Sequence, residues 1–459
     1  MNHDTPRILL VSSRGPEHSA NLGGDVVNSL RQQGCDVDIL TLYPSLQAKD
    51  YDIYSVVDEI PISTSGKLRK KLPGVSFKIL KFIFKPVKDS WGQLRNALSK
   101  KRRLRLHLTQ SGFFYPDESH PNVSPERLLN TIPQDKEYDL VITLFWQDML
   151  NTTSLMAIYE RFGAPIYIYS VDMAPMTGGC YYFNSCNHYT HQCGECPCLL
   201  SDNKSDQSHQ NYITKKKNYS AIEAYFLGNS WMIDRALASK LFNADSVLNM
   251  GIIIDEKVFC PKNSLQARQE LKIPEDKDLV LMARSLGSTR KGADTIVYAL
   301  NMLWEKLPKE ERQRLCLVTV GDATLEKKLK GGKIPVINLG TVGRDVLIKA
   351  YQAASMFLSP STDDAGPSMV NQSIMCGTPV VSFNIGTAVD VIENGISGFK
   401  TDDLSKEGFA RTLGEALHAT VNATYPDIRA TARVRALQHN TSQAFAEKLL
   451  LHFRNRRNH

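Results

Sequence analysis

Between Met356 and Phe383 the chain places residues suited to holding an anion. The apolar run Met356-Phe357-Leu358 predicts a buried strand, and Pro379 to Phe383 predicts a second. Between them lie a polar loop, Ser359 to Pro367, and apolar residues at helical spacing from Met369 to Met375. Strand, loop, helix and strand in that order form a crossover unit of a parallel α/β sheet. Pro367 suits a helix start, because the first helical amides have no partner within the helix. Those free amides and the positive end of the helix dipole favour a negative ligand. Gly366 lets such a ligand come close to the backbone.

A second group of chemically able side chains lies in the loop 177–200. Cys180, Cys186, Cys193 and Cys196 have the count and knuckle spacing of a structural zinc site. His188 and His191 could stand in for one thiolate, and Cys198 is a spare. A metal in so closed a site would hold the loop rather than do chemistry. Reduced, unligated thiols and, in an oxidising compartment, disulfides are the alternatives. No thioredoxin-like strand precedes Cys193-Gly-Glu-Cys196, which argues against a redox dithiol. Cys35, Cys260, Cys316 and Cys376 are scattered and read as core residues of a reduced protein.

The elements that must position these groups follow an α/β alternation. The chain has 459 residues, 42% hydrophobic and 22% charged, which suits two domains of ordinary size. Ile8 to Ser12 predicts the first strand. Asn21-Leu-Gly-Gly24 follows as a loop, then a helix through Val26, Val27 and Leu30, and a strand over Val37 to Leu40. That order opens a doubly wound domain, without the G-x-G-x-x-G dinucleotide fingerprint. Strands over Tyr138–Phe145 and Pro165–Val171 end at Trp146 and Asp172, and strand ends of this kind line the cleft of an open sheet. A linker at 256–275 leads to a second domain that opens with Leu279 to Ala283 and the following Arg284. Ile428 to Phe453 is helical by pattern.

Residues 67–105 differ in character, with fourteen Lys and Arg residues against one acid, Asp89, and with Phe77, Phe82, Phe84 and Trp91 interleaved. A basic amphipathic insert with aromatic anchors suits an anionic membrane surface. Its place inside an α/β domain disfavours an independent nucleic-acid module. No run is long and apolar enough to span a bilayer, and the first residues lack a signal-peptide pattern. The expectation is a cytoplasmic protein, peripheral on the inner face of the membrane.

The stretch 359–383 resembles the donor-site motif of retaining glycosyltransferase family 4. That motif has two acids eight positions apart, then an apolar helix and Cys-Gly-Thr-Pro-Val-Val. Here Cys376 to Val381 match, Asp364 stands at the first acid and Gln372 at the second, where Glu is usual. Asp172-Met173, Thr177-Gly-Gly-Cys180 and Cys193-Gly-Glu-Cys196-Pro197 are similar to one branch of that family, although Val171 replaces the His that normally precedes the Asp. The resemblance implies the GT-B fold: two facing doubly wound Rossmann-like domains, 1–258 on the acceptor side and 259–425 on the nucleotide-sugar side. Residues 426–459 would then pack back on the first domain.

The resemblance also implies site roles. Asp172, Arg284, Lys291 and Asp364 are the expected catalytic residues, with Arg290 as a substitute for Lys291. Gly23, Gly24, Gly340, Gly366, Pro367, Ser368, Met369 and Gln372 are expected to bind the donor. The implied activity moves a sugar, with retention, from a nucleotide sugar to a hydroxyl of a glycan or lipid-linked acceptor in surface-polysaccharide synthesis. Catalysis needs no cofactor on this reading. A nucleotide-sugar 2-epimerase and a non-catalytic sugar-nucleotide scaffold are the alternatives.

Overall fold

A computed structural model describes residues 5–15, 22–43, 52–57, 117–183, 185–285, 287–420 and 425–457. The basic insert expected at 67–108 lies outside the described residues. The first domain holds a parallel sheet in the order β3-β2-β1-β4-β5-β6-β7. Its strands are β1 (Arg7–Ser12), β2 (Asp36–Thr41), β3 (Ile53–Ser55), β4 (Leu140–Leu144), β5 (Ile166–Tyr169), β6 (Ala224–Gly228) and β7 (Val247–Asn249). The second sheet runs β10-β9-β8-β11-β12-β13, again parallel. Its strands are β8 (Leu279–Ser285), β9 (Leu315–Gly321), β10 (Val336–Asn338), β11 (Met356–Ser359), β12 (Val380–Phe383) and β13 (Phe399–Thr401).

Helices cover both faces of each sheet, so the central strands are apolar throughout rather than alternating; β4 and β11 are buried at every residue. Each sheet reverses its strand order once, at β1/β4 in the first domain and at β8/β11 in the second. Ligands of open α/β sheets bind beyond the carboxyl ends of the strands at such a reversal. The two reversals therefore single out Ser12–Gly15 and Phe145 on one side, and Arg284 and Ser359–Asp364 on the other.

Two corrections concern helices. The first helix spans Leu22–Gln32, so Gly23 and Gly24 sit in its first turn rather than in a loop before it. Val26, Val27 and Leu30 pack against Ile8, Leu10 and Ile39, and this apolar stripe carries the helix back to Leu22. The C-terminal segment is not one helix crossing back from residue 426. Tyr425–His439 stays on the second domain, where Ala432 and Ala436 enter its core and Arg433 bonds the carbonyl oxygen of Phe259. The crossing comes at Asn440, which is buried and donates to the Ile252 carbonyl at 2.8 Å while its own carbonyl accepts from the Ile254 amide at 2.8 Å. The helix Ser442–Arg457 then buries Phe445, Leu449, Leu450 and Phe453 against the first domain, each side chain contributing about 1.5–3 kcal/mol.

Candidate functional site

The two reversal points face one cleft of about 470 Å³. Arg14, Phe145 and Val171 line it from the first domain. Arg284, Lys291, Asp364 and the turn Gly366–Met369 line it from the second. Among the described residues its charged lining is three cations, Arg14, Arg284 and Lys291, against the carboxylate Asp364.

Two loops of the second domain build the positive wall. One holds the short turn Thr289–Lys291 and the other runs from β11 to the helix Ser368–Met375. The Thr362 amide donates to the Arg290 carbonyl at 3.1 Å. Gly292 has φ of 72°, and a Cβ there would lie 2.3 Å from the Pro360 carbonyl oxygen, so only glycine allows the loops to meet. Arg290 donates from Nη1 to the Asp363 carbonyl at 2.6 Å and to Asp364 Oδ2 at 3.1 Å. Lys291 Nζ also bonds Asp364 Oδ2.

Burial pushes the Asp364 carboxyl up, but Lys291 and Arg290 outweigh it and hold it below the usual carboxylate range. Burial pulls the Lys291 ammonium down, Asp364 pulls it up, and the neighbouring Arg290 and Arg284 leave it below an ordinary lysine. Asp364 is thus held ionised by its cationic neighbours, whereas burial is the main reason that Lys291 is lowered, with Arg290 and Arg284 adding to it. Arg284, at the end of β8, is exposed and has no carboxylate partner among the described residues.

The helix Ser368–Met375 starts after Pro367, as its sequence requires, and its first residues line the cleft. Gly366 has φ of 152°, and a Cβ there would sit 3.0 Å from Asn229 Nδ2 and 3.0 Å from Ile252 Cδ1. Both of those residues precede the linker, so the glycine is also what lets the two halves of the protein meet at this edge. Asn229 serves two ends: its Oδ1 caps the helix Ser230–Ala238 and its Nδ2 donates to the Ala365 carbonyl. Gln372 is buried and accepts from the Tyr351 hydroxyl at 3.0 Å through Oε1, which leaves its amide hydrogens for the cleft. Gly340 follows β10 with φ of 70°, and Thr341 and Val342 beyond it reach the cleft wall.

Asp172 follows β5. Val171 lines the cleft, whereas the Asp172 carboxylate turns back and accepts from the Ala174 amide at 2.9 Å. Burial raises it to about 7. A carboxyl with a raised native pKa is neutral in the folded chain while already ionised in the unfolded one, so stability falls as pH rises from about 4 to about 7. Asp172→Asn is expected to flatten that fall, read as denaturant midpoints at several pH values.

Three features near the site carried little or no sequence signal. Lys215 and Glu118 are both fully buried, 3.4 Å apart. Lys215 donates to the carbonyls of Ala174 and Thr177, the latter at 2.9 Å, while Glu118 takes the amide and hydroxyl of Thr152. Together they pin the segment after Asp172. The Tyr182 ring lies 3.7 Å from the Arg290 guanidinium across the cleft. Arg14 stacks on Phe145, whose φ of 28° is unusual for a bulky residue. Only the aromatic at Tyr182, two residues after a cysteine, could have been singled out beforehand.

The cysteines assemble differently from the expected set. The sulfurs of Cys180, Cys196 and Cys198 lie within 4.8 Å of one another, so the supposed spare is inside the group and Cys186 and Cys193 are outside it. The short turn Pro197–Leu199 brings Cys198 round to Cys196, a fold-back that spacing alone does not reveal. Cys193 Sγ accepts from the Gly178 amide at 3.3 Å.

Among the described residues no helix is long and apolar enough to cross a membrane. The D-inositol 3-phosphate glycosyltransferase of Acidothermus cellulolyticus is 26% identical over 208 residues, 42% of this chain and 46% of that protein. That of Kribbella flavida is 28% identical over 214 residues, covering 44% and 48%. The chain thus spans about half the length of the curated relatives it matches. Among solved structures, Anabaena HepE in complex with UDP superposes with a TM-score of 0.59 at 13% identity, over 98% of this chain and 100% of that one. Sucrose-phosphate synthase from Thermosynechococcus elongatus gives 0.60 at 15%, over 98% and 99%. These structural likenesses are likenesses of fold, two Rossmann-like domains in the GT-B arrangement. Residues 263–434, the part of the chain that carries Arg284, Lys291 and Asp364, match the family described as glycosyl transferases group 1.

Proposed function

We propose that this protein is a retaining glycosyltransferase of family 4, in the branch with a cysteine-rich loop. It moves a hexosyl group from a nucleotide sugar to a hydroxyl of a glycan or lipid-linked acceptor, in the synthesis of a surface polysaccharide. The observation that carries the proposal is the positive wall of the cleft. Arg284, Lys291 and the first amides of the helix Ser368–Met375 converge on it, and among its described lining residues the cations outnumber the one carboxylate. Such a wall suits a diphosphate, and most of all the charge that grows on it as the glycosyl bond breaks. The match over 263–434 and the names of the relatives point the same way.

In this mechanism Arg284 grips the diphosphate through its fork of donors and Lys291 acts as a point charge. Asp364 orients both Lys291 and Arg290 and meets the donor sugar. The Gln372 amide donates to a ribose oxygen, and the backbone after Gly340 receives the base. Gly23 and Gly24 face the phosphates from the first helical turn. Asp172, in the segment after β5, faces away from the cleft and so acts as a positioning residue, fixing the turn beside Val171 through its bond to the Ala174 amide. Exclusion of water by the opposing domain lets the acceptor compete with hydrolysis. The basic run 67–105 supports peripheral attachment to an anionic membrane surface, where a lipid-linked acceptor would be met.

The test incubates the full chain with a panel of nucleotide sugars, with and without lipid-linked acceptors. Nucleoside diphosphate release that depends on the acceptor, with retained anomeric configuration in the product, is the expected result. Binding without turnover would favour a scaffold, and conversion of the donor alone would favour a 2-epimerase; either outcome overturns the assignment.

A further inference from the structure

The loop 177–201 is set in an unusual conformation. Nine non-glycine residues among those described have positive φ, and five of them, Ser185, Gln192, Cys193, Glu195 and Leu200, lie in this loop. Each costs on the order of 1–2 kcal/mol. Hydrogen bonds offset part of that cost: Gly194 N donates to Ser208 Oγ at 2.9 Å, and Cys196 N to Asp206 Oδ2 at 2.8 Å. Gly194 is packed so closely that a Cβ would lie 2.2 Å from the Lys204 carbonyl oxygen. A segment whose regular structure is two short turns, His188–His191 and Pro197–Leu199, and so costly in backbone conformation, gains from a further tie.

The side chains supply the means. Cys180 is brought from sixteen positions upstream to Cys196, and the three sulfurs of Cys180, Cys196 and Cys198 share one small volume. Beside Cys180 and Cys196 a cavity of about 20 Å³, room for a single small ion or water, is bordered also by His188, Cys186 and Cys193, while Cys198 approaches the other two sulfurs from outside it. His188 Nδ1 lies 2.9 Å from the Gly194 carbonyl. A carbonyl can only accept, so Nδ1 carries the hydrogen and Nε2 keeps its lone pair. That second-shell contact is the one metal-bound imidazoles make.

We propose that Cys180, Cys196 and Cys198 bind one Zn²⁺, with His188, which stands outside the group of three sulfurs but lines the adjoining cavity, moving in through Nε2 as the fourth ligand. This Cys₃His set replaces the Cys180, Cys186, Cys193, Cys196 quartet that spacing suggests. Three thiolates and an imidazole in a tetrahedral set leave no open position, so the ion ties the loop and does not take part in transfer. Its reach to the cleft is through Tyr182, two residues beyond Cys180, whose ring stacks on Arg290. The proposal does not depend on which sugar is moved, or on whether any is.

The test measures metal in the full chain purified without chelator. About one zinc per chain is expected by elemental analysis. Cys180→Ser and Cys198→Ser should each fall below about a tenth of that, whereas Cys260→Ser, far from the loop, should keep it. His188→Ala should weaken retention against a competing chelator by at least about 10–100-fold, the loss that follows removal of an outer-shell partner and so a lower bound for a direct ligand. Should the serine variants fail to fold, Co²⁺ added to metal-stripped wild type decides the matter, since thiolate ligation gives intense charge-transfer bands. Wild type without zinc and without those bands, or a Cys180–Cys196 or Cys180–Cys198 disulfide found by mass spectrometry, overturns the site. Unchanged retention in His188→Ala overturns the fourth ligand.

Discussion

Arg284→Ala is expected to weaken binding of a nucleoside diphosphate such as UDP by about 10–100-fold, the size of a lost charge-assisted hydrogen bond or bidentate pair. The position of the side chain is the reason. Arg284 ends β8 at the point where the second sheet reverses its strand order, and it is exposed to the cleft. It has no carboxylate partner among the described residues, so its removal strands no buried charge. The melting temperature should therefore stay within a degree or two, because exposed substitutions usually change stability by less than about 0.5 kcal/mol. Calorimetric titration with UDP, at two salt concentrations, checks both halves. An affinity equal to that of the wild type would mean that no diphosphate sits against this wall.

Asp364→Asn should behave in the opposite way, with a large loss of stability as well as of activity. Asp364 is 5% exposed and its Oδ2 is shared by Arg290 and Lys291, themselves largely covered. Neutralising it leaves two cations facing each other with no counter-charge, a change expected to cost about 3–5 kcal/mol. The pH dependence gives a signature. The native carboxyl is held below the usual range, so its contribution is present above the unfolded-state pKa near 4 and is lost as pH falls through the lower native value. The gap between wild type and variant should thus be widest near neutrality and narrow on acidification. Urea midpoints from pH 7 down to pH 3 measure it. Transfer should fall by at least about 100-fold, since Lys291 and Arg290 lose the group that aims them. A variant as stable as wild type at pH 7 would show that the trio is not coupled as the distances imply.

Some of the site was legible because its residues obey local rules. Pro367 marks a helix start wherever it occurs, and the helix Ser368–Met375 begins where the proline says. The apolar runs that became β4, β8 and β11 could be read because strands buried on both faces leave no polar position to confuse the pattern. Lys215 and Glu118 were hidden for the converse reason. The helix Gln207–Ser220 buries Ser208, Asn211, Tyr212 and Lys215, so its inward face looks like a solvated one. A buried lysine is identifiable only from its partners, and Glu118 is nearly a hundred residues away.

What the sequence by itself determined was the alternation of strands and helices, the helix start after Gly366–Pro367, and the presence of a thiol-rich loop. Each depends on neighbours a few positions apart, within reach of backbone geometry and side-chain periodicity. Only the tertiary structure decided which charges meet. Arg290 and Lys291 share one oxygen of Asp364 more than seventy residues on; Cys198 joins Cys180 while Cys186 does not; the chain recrosses at Asn440 rather than at 426. The physical reason is that Coulombic and metal-ligand geometry is set by distances in space, fixed by how the two sheets and their loops pack, and spacing along the chain does not encode it.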